Sequence, residues 1–357
     1  VAPDLEVANP RFTVHNGTVY VAFGVDNDVA HVYRSTSSGW EPATSSISMI
    51  SGANSEVFAI QPRIASNGDI LVGLVERGAG QSWDRVFASR WTSDSWSSLG
   101  PVTGQLYVWN QMDLQLHGDQ PVVLYQDYFG DGEKAPRVKR RVGDTWQDLG
   151  RFEVPGTLQN AFHSSLALLS SGNPVVGFHD TLAEEQNGEW PSEAYVGVHD
   201  GSWNLLGGGS MAEDPTRGVF GVEVAVAPDD TIYAAYRVLE GTAFKSVAVR
   251  RFVDGVWVSL PSPELDSPHA MELVVGPTGS VVVGSVQRDG DSARIVIKAW
   301  DGSVWKTLGA PRSPREGYDI FENLSLTFDG DQLWALWVEA AESHPTNAGL
   351  VTVAKLE

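Results

Sequence analysis

The feature that most constrains this chain is a repeat of about 51 residues that runs through its whole length. A tight Gly or Asp turn followed by an apolar strand recurs as HNGTVYVAF (15–23), SNGDILVGL (66–74), HGDQPVVLY (117–125), SSGNPVVGF (170–178), PDDTIYAAY (228–236), PTGSVVVGS (277–285) and FDGDQLWALW (328–337). Successive turns are 51, 50, 54, 58, 49 and 51 residues apart. A chain built this way is an array of like units, each unable to bury its apolar faces without a neighbour.

A second signal falls between the copies: a further strand, a short turn, then Trp40, Trp96, Trp146, Trp203, Trp257 or Trp305, followed in four copies by Leu-Gly after two intervening residues. The seventh unit ends with its third strand, Gly349 to Leu356, and has no such Trp. Each unit reads as four short strands alternating with period 2, which excludes a helical solenoid. The fixed period is not that of a two-sheet sandwich. These units predict an all-β fold, a seven-bladed β-propeller of four-stranded blades forming one domain over 1–357. The ring is closed by the N- and C-terminal strands, with Asp4 to Ala8 expected to supply the strand that the last blade lacks.

Composition narrows the partners. With 24 basic and 45 acidic side chains the net charge is −21, and no Lys/Arg cluster opposes that field, so nucleic acid is excluded as a partner. The chain has no Cys, which removes disulfides, thiolate metal sites and cysteine nucleophiles. No apolar run approaches the roughly 18 residues of a membrane span. The chain starts at Val1 without a basic or apolar leader, and its acidic, Gly- and Trp-rich character suits a protein secreted by, or displayed on, a bacterial cell.

Residues that recur in every blade are scaffold. The Trp is expected to wedge against the next blade, and the Gly and Asp turns supply the φ > 0 conformations of tight hairpins. The strands DGSVW (301–305) and DGVW (254–257) resemble those of the sialidase-repeat superfamily and of seven-bladed Trp-rich propeller lectins. The sialidase Asp-box is incomplete, since TSDSW lacks its Gly and DGSVW its upstream Ser. No arginine triad with a Tyr/Glu pair accompanies it, so sialidase activity is not expected.

Function is expected in what varies at one rim of the ring, where innermost strands begin and second strands end. The second strands end at Asp26, Glu76, Asp127, His179, Arg237, Arg288 and Glu339. The innermost strands start near Arg11, Gln61 and Arg63, Trp109, Asn110 and Asp113, His163, Glu223, His269 and Glu272, and Glu322 and Asn323. Each blade contributes a different chemistry, which predicts one asymmetric axial site. His163 and His179, with Tyr236, Arg237 and Arg288 in the following blades, resemble the His, Tyr and Arg sites of ulvan-lyase-type polysaccharide lyases. That resemblance implies a His pair flanking a uronate, Tyr236 transferring a proton, and Arg237 or Arg288 neutralising the carboxylate. Arg288, Trp109, Asn110, Asp127, Glu76 and His269 are the expected substrate-binding residues.

Other readings stand beside this one. Glu76, Asp113, Asp127, Glu272, Glu322 and Glu339 offer carboxylate pairs for glycoside hydrolysis. DYFGDGEK (127–134) offers Asp127, Asp131 and Glu133 as oxygen ligands for Ca²⁺, against the plainer reading of an Asp-Gly turn, and no cofactor is otherwise required. The expected partner is a polysaccharide or oligosaccharide, cleaved by a lyase or hydrolase. The alternatives are a non-catalytic lectin and a protein-interaction scaffold.

Overall fold

The computed structural model describes residues 7–25, 29–50, 56–78, 80–104, 111–128, 133–157, 160–181, 192–214, 217–290, 292–316, 318–341 and 349–356. Within them 27 strands follow one another, interrupted by a single 3₁₀ turn at Leu206–Gly208. Consecutive strands pair antiparallel into seven separate sheets, six with four strands and one, Tyr318–Asp329, Gln332–Ala341 and Gly349–Leu356, with three among the described residues. This is the expected all-β, seven-bladed propeller.

The core is a ring of seven apolar clusters, one at each seam between blades. Phe12, Val21 and Phe23 of blade one pack on Leu336 of blade seven, and that seam closes the ring. The second strands lie between neighbours on both faces, so Ile70–Arg77 and Pro174–Thr181 are buried along almost their whole length. This explains why they read as nearly continuous apolar runs rather than alternating ones.

Ring closure differs in one detail from expectation. Val7 and Ala8 register with Val25 and Gly24 inside blade one and so do not extend blade seven; residues 4–6 lie outside those described. Between the two blades the carboxylate of Asp329 accepts from the backbone N–H of Asn16 at 3.1 Å and of Gly17 at 2.6 Å. Asp119 grips Ser66 in the same way, and Asp230 grips Ser170.

The recurrent Trp is structural, and it faces the preceding blade rather than the next. Trp96, Trp146, Trp203, Trp257 and Trp305 donate Nε1–H to the carbonyls of Ser45, Leu99, Leu149, Leu206 and Pro261 at 2.6–3.3 Å. The Leu-Gly pair now has a physical role. In Leu99-Gly100 and Leu149-Gly150 the glycine takes φ +85° and +82°, turning the chain so that the leucine carbonyl points at the next indole.

Candidate active site

The innermost strands carry a register shift near the rim, between Val57 and Ala59, Phe162 and Ser165, Phe220 and Val222, and Pro268 and Ala270. A bulge of this kind re-aims side chains. In blade five the bulge holds Gly221 at φ +61°, a conformation that glycine adopts freely. In blade four the same place holds His163 at φ +46°. A bulky residue in the left-handed region is strained by about 1–3 kcal/mol, and such strain is concentrated at functional sites.

The bulges of blades four and five line a cavity of about 1010 Å³, off-centre on this rim. Arg11, Gln61, His163, His179, Phe220 and Glu223 all contribute to its wall. His163 is exposed to the cavity and walled by protein elsewhere. Its ring stacks on His179, with centroids 5.5 Å apart and planes 14° apart, and lies 4.5 Å from Phe220. His179 is 3% exposed, and its Nδ1 accepts from the Gly221 N–H at 3.2 Å. Enclosure, reinforced by the Arg237 charge, pushes the His163 imidazole down to about 4. The same enclosure, with His163 and Arg237, holds His179 well below its ordinary range. Both rings are therefore neutral at physiological pH. Gln111 Nε2 lies 3.1 Å from His163 Nδ1, so with the amide donating, the ring presents its Nε2–H to the cavity.

Arg237 lies behind this wall. Its guanidinium sits 4.7 Å from the Phe220 ring and 4.5 Å from that of Phe244, and it donates to the His269 carbonyl in the next blade. At 8% exposure it acts on the site through its field.

Toward the axis the innermost strands place charged groups from different blades together. Arg63 pairs with Asp113 at 3.8 Å and donates Nε–H to Gln115 at 3.3 Å; Asp113 also accepts from the Leu166 N–H at 3.0 Å. Enclosure, then repulsion by Glu272 and Asp113, raises the Glu223 carboxyl well above its ordinary range. Enclosure likewise pushes Glu272 up to about 7, with Arg11 opposing and Asp113 reinforcing. Among the described residues no hydrogen bond or ion pair ties down Arg11, Glu223 or Glu272. Two carboxyls that repel one another in an enclosed bore lose their protons in separate steps, so one stays protonated while the other is charged.

The expected residues fall into three groups. His163 and His179 line the cavity, with Arg237 behind them and His269 reached through Arg237. Four others are placed elsewhere. Tyr236 points to the opposite face of its strand from Arg237, is 2% exposed in the seam between blades four and five, and accepts the Glu213 N–H at 3.1 Å. Arg288 is bound to Asp319 at 2.8 Å and to the Ile320 carbonyl at 3.0 Å. Asp127 is buried against Arg137 at 2.7 Å. Glu76 is fully buried, accepting from Ser48, Met49 and Ile50. Glu76 and Arg288 thus tie neighbouring units of the ring together, while Asp127 holds the third strand of its own blade. The third group, Trp109, Asn110 and Asp131, lies outside the described residues. Asp131 takes the Ca²⁺ reading with it, and Asp127 is bound to Arg137. Among the described residues no three His, Asp or Glu side chains form a metal-binding group.

Sequence reasoning passed over Glu223 as an acid and Phe220 altogether. Aligning the bulges would have found Phe220, since Phe162-His163 and Phe220-Gly221 occupy matching places. The ring that touches both histidines carries no hydroxyl, where the lyase resemblance implies a tyrosine.

The fold and site thus define a seven-bladed propeller with an asymmetric cavity on one rim. No family model matches the sequence, and a search of curated proteins returned no match. Among solved structures the chain is similar to the polysaccharide lyase Uly1, at 10% identity and a TM-score of 0.60, covering 100% of this chain and 90% of that one. It is also similar to a protein of unknown function from Dyadobacter fermentans, at 11% identity and 0.55, covering 99% of both chains. An α-L-arabinanase of Penicillium chrysogenum complexed with arabinobiose shows 14% identity and 0.51, covering 84% of this chain and 93% of that one. At these identities the likeness shows the propeller fold.

Proposed function

We propose that the protein is a carbohydrate-active enzyme that binds one stretch of glycan in the rim cavity and hydrolyses it, with Glu223 as proton donor. The observation that carries this reading is the place of Glu223 on the wall of a cavity of saccharide size, where enclosure, and then the charges of Glu272 and Asp113, favour its protonated form. Glycoside hydrolysis needs one protonated and one ionised carboxyl, and the coupled Glu223 and Glu272 supply that division near neutral pH. Phe220, Phe244 and the neutral His163 offer apolar faces for sugar rings, and Gln61 and Gln111 offer amides for hydroxyls. The neighbouring folds include a polysaccharide lyase and an arabinanase, which supports a glycan as partner.

Lyase chemistry is the second reading, favoured by the open, neutral His163 ring with Arg11 on the same wall. It meets two obstacles: among the described residues no tyrosine ring touches the histidine pair, and Arg237 is not exposed enough to touch a substrate carboxylate. A panel of acidic and neutral polysaccharides separates the two, read for reducing ends and for the ultraviolet absorbance of unsaturated uronates. Hydrolysis gives reducing ends without that absorbance, lost in Glu223→Gln and kept in Tyr236→Phe. A rise in both signals, lost in His163→Ala, establishes the lyase instead. Glycan binding without either signal makes the protein a lectin.

A further inference from the structure

At the register shifts on the rim a phenylalanine recurs beside a cation. Phe58 stands at the shift in blade two, Phe162 in blade four and Phe220 in blade five. The Arg77 guanidinium lies 4.4 Å from the centre of the Phe58 ring, the Lys134 ammonium 4.1 Å from Phe162, and the Arg237 guanidinium 4.7 Å from Phe220. Such contacts hold a flat ring in one orientation. Arg77 is itself anchored, donating Nε–H to the buried Asp84 at 2.7 Å. All three rings line the one rim cavity. Blades two and five stand three places apart in a ring of seven, so Phe58 and Phe220 mark opposite sides of that cavity, with the amides of Gln111 and Asn160 on the wall between them. At about 1010 Å³ the cavity stands at the top of the range of roughly 300–1,000 Å³ for small-molecule sites, with room for several sugar rings.

We infer that Phe58 is the platform of a further sugar subsite, and that the ligand is an oligosaccharide long enough to set one unit on Phe220, one on Phe58 and at least one between them. Aromatic rings take the apolar C–H faces of sugars and the intervening amides take hydroxyls, so the ligand class is a glycan chain whose units expose such a face. A monosaccharide or disaccharide reaches one platform only. Phe58 also packs on the seam cluster of Val75, Val86 and Tyr125; an aliphatic side chain serves that contact, whereas the subsite needs the flat ring. The inference rests on the rim cavity as the glycan site, but not on Glu223 as its acid.

The test is calorimetric titration of the whole chain carrying Glu223→Gln, which keeps the ligand intact, with oligosaccharides of two to six units made by partial acid hydrolysis of each polysaccharide in the panel. Affinity should rise between the disaccharide and the tetrasaccharide of whichever glycan binds. Phe58→Leu should lower tetrasaccharide affinity by up to about tenfold, to near that of the disaccharide, and Phe58→Tyr should restore it. Phe220→Leu should weaken every length. In the chain with Phe58 intact, the Phe58 ring proton resonances should move with the tetrasaccharide and stay with the disaccharide, a reading that does not depend on how the Leu variant folds. Affinity independent of length, a Phe58→Leu variant that binds the tetrasaccharide as tightly as its parent, or binding of no oligosaccharide at all overturns the inference. Hydrolysis that persists in Glu223→Gln overturns the acid assignment instead and leaves the length dependence standing.

Discussion

The imidazole of His163 stacks on that of His179 with a centroid separation of 5.5 Å and an interplanar angle of 14°, and Phe220 closes against both at 4.5 and 4.8 Å. Two stacked imidazoles in one enclosed wall repel one another once charged, and Arg237 behind them adds to that repulsion. The pair is built to stay neutral.

Stability should therefore carry two opposite pH slopes. The histidines have folded values below the ordinary 6.5, so their contribution is full above pH 6.5 and is lost on acidification, for His163 as pH falls through about 4. Glu223 and Glu272 are raised above the ordinary 4.5, so theirs is full below that value and is lost as pH rises, for Glu272 through about 7. Urea unfolding from pH 4 to 8 should show His179→Phe removing the acid-side loss and Glu272→Gln removing the loss toward neutral pH. Unchanged slopes in both variants would sink this account of the wall and the bore.

His163→Gly tests the strained bulge. Relief of the φ +46° conformation should leave stability equal or higher by up to about 1 kcal/mol, while glycan binding falls. Denaturant midpoints paired with binding assays check it; a stability loss above ~1 kcal/mol would show that the ring stack outweighs the strain.

Gln111 should fix the His163 tautomer. Nitrogen-15 imidazole shifts are expected to show Nε2–H in the wild type at neutral pH, whereas Gln111→Glu, which accepts from Nδ1–H, should switch the ring to the other tautomer and raise its pKa. Finding Nδ1–H in the wild type would mean the amide faces the other way and that Nε2 is a free base.

Indole clasps should be worth about 1 kcal/mol each. Trp146→Phe removes the hydrogen bond to the Leu99 carbonyl and should lower unfolding stability by roughly that amount. Trp40→Phe, with no acceptor among the described residues, should cost less than ~0.5 kcal/mol. Equal losses would mean that the indole's apolar area, rather than its N–H, carries the clasp.

The repeat made the architecture legible, because turn spacing and Trp position are local signals copied seven and six times. The rim was legible as a place, and His163 and His179 were found as residues that break the repeat. What stayed hidden was the direction each rim residue faces. Tyr236 and Arg237 are adjacent in sequence but point to opposite faces of one strand, so only one of them could reach the histidines. Arg288, Asp127 and Glu76 break the repeat as conspicuously as the histidines do, yet they hold neighbouring strands and loops together. Glu223 was overlooked as an acid because its raised pKa comes from enclosure by the assembled ring and then from Glu272 and Asp113, which lie on other blades and are distant in sequence.

The most direct test of the central claim is a crystal structure of Glu223→Gln soaked with an oligosaccharide taken from the polysaccharide panel. The account predicts one saccharide per chain in the rim cavity, stacked on Phe220 and His163, with a glycosidic oxygen within hydrogen-bonding distance of residue 223. Saccharides bound instead at repeated positions between the blades, with the cavity left empty, would contradict it.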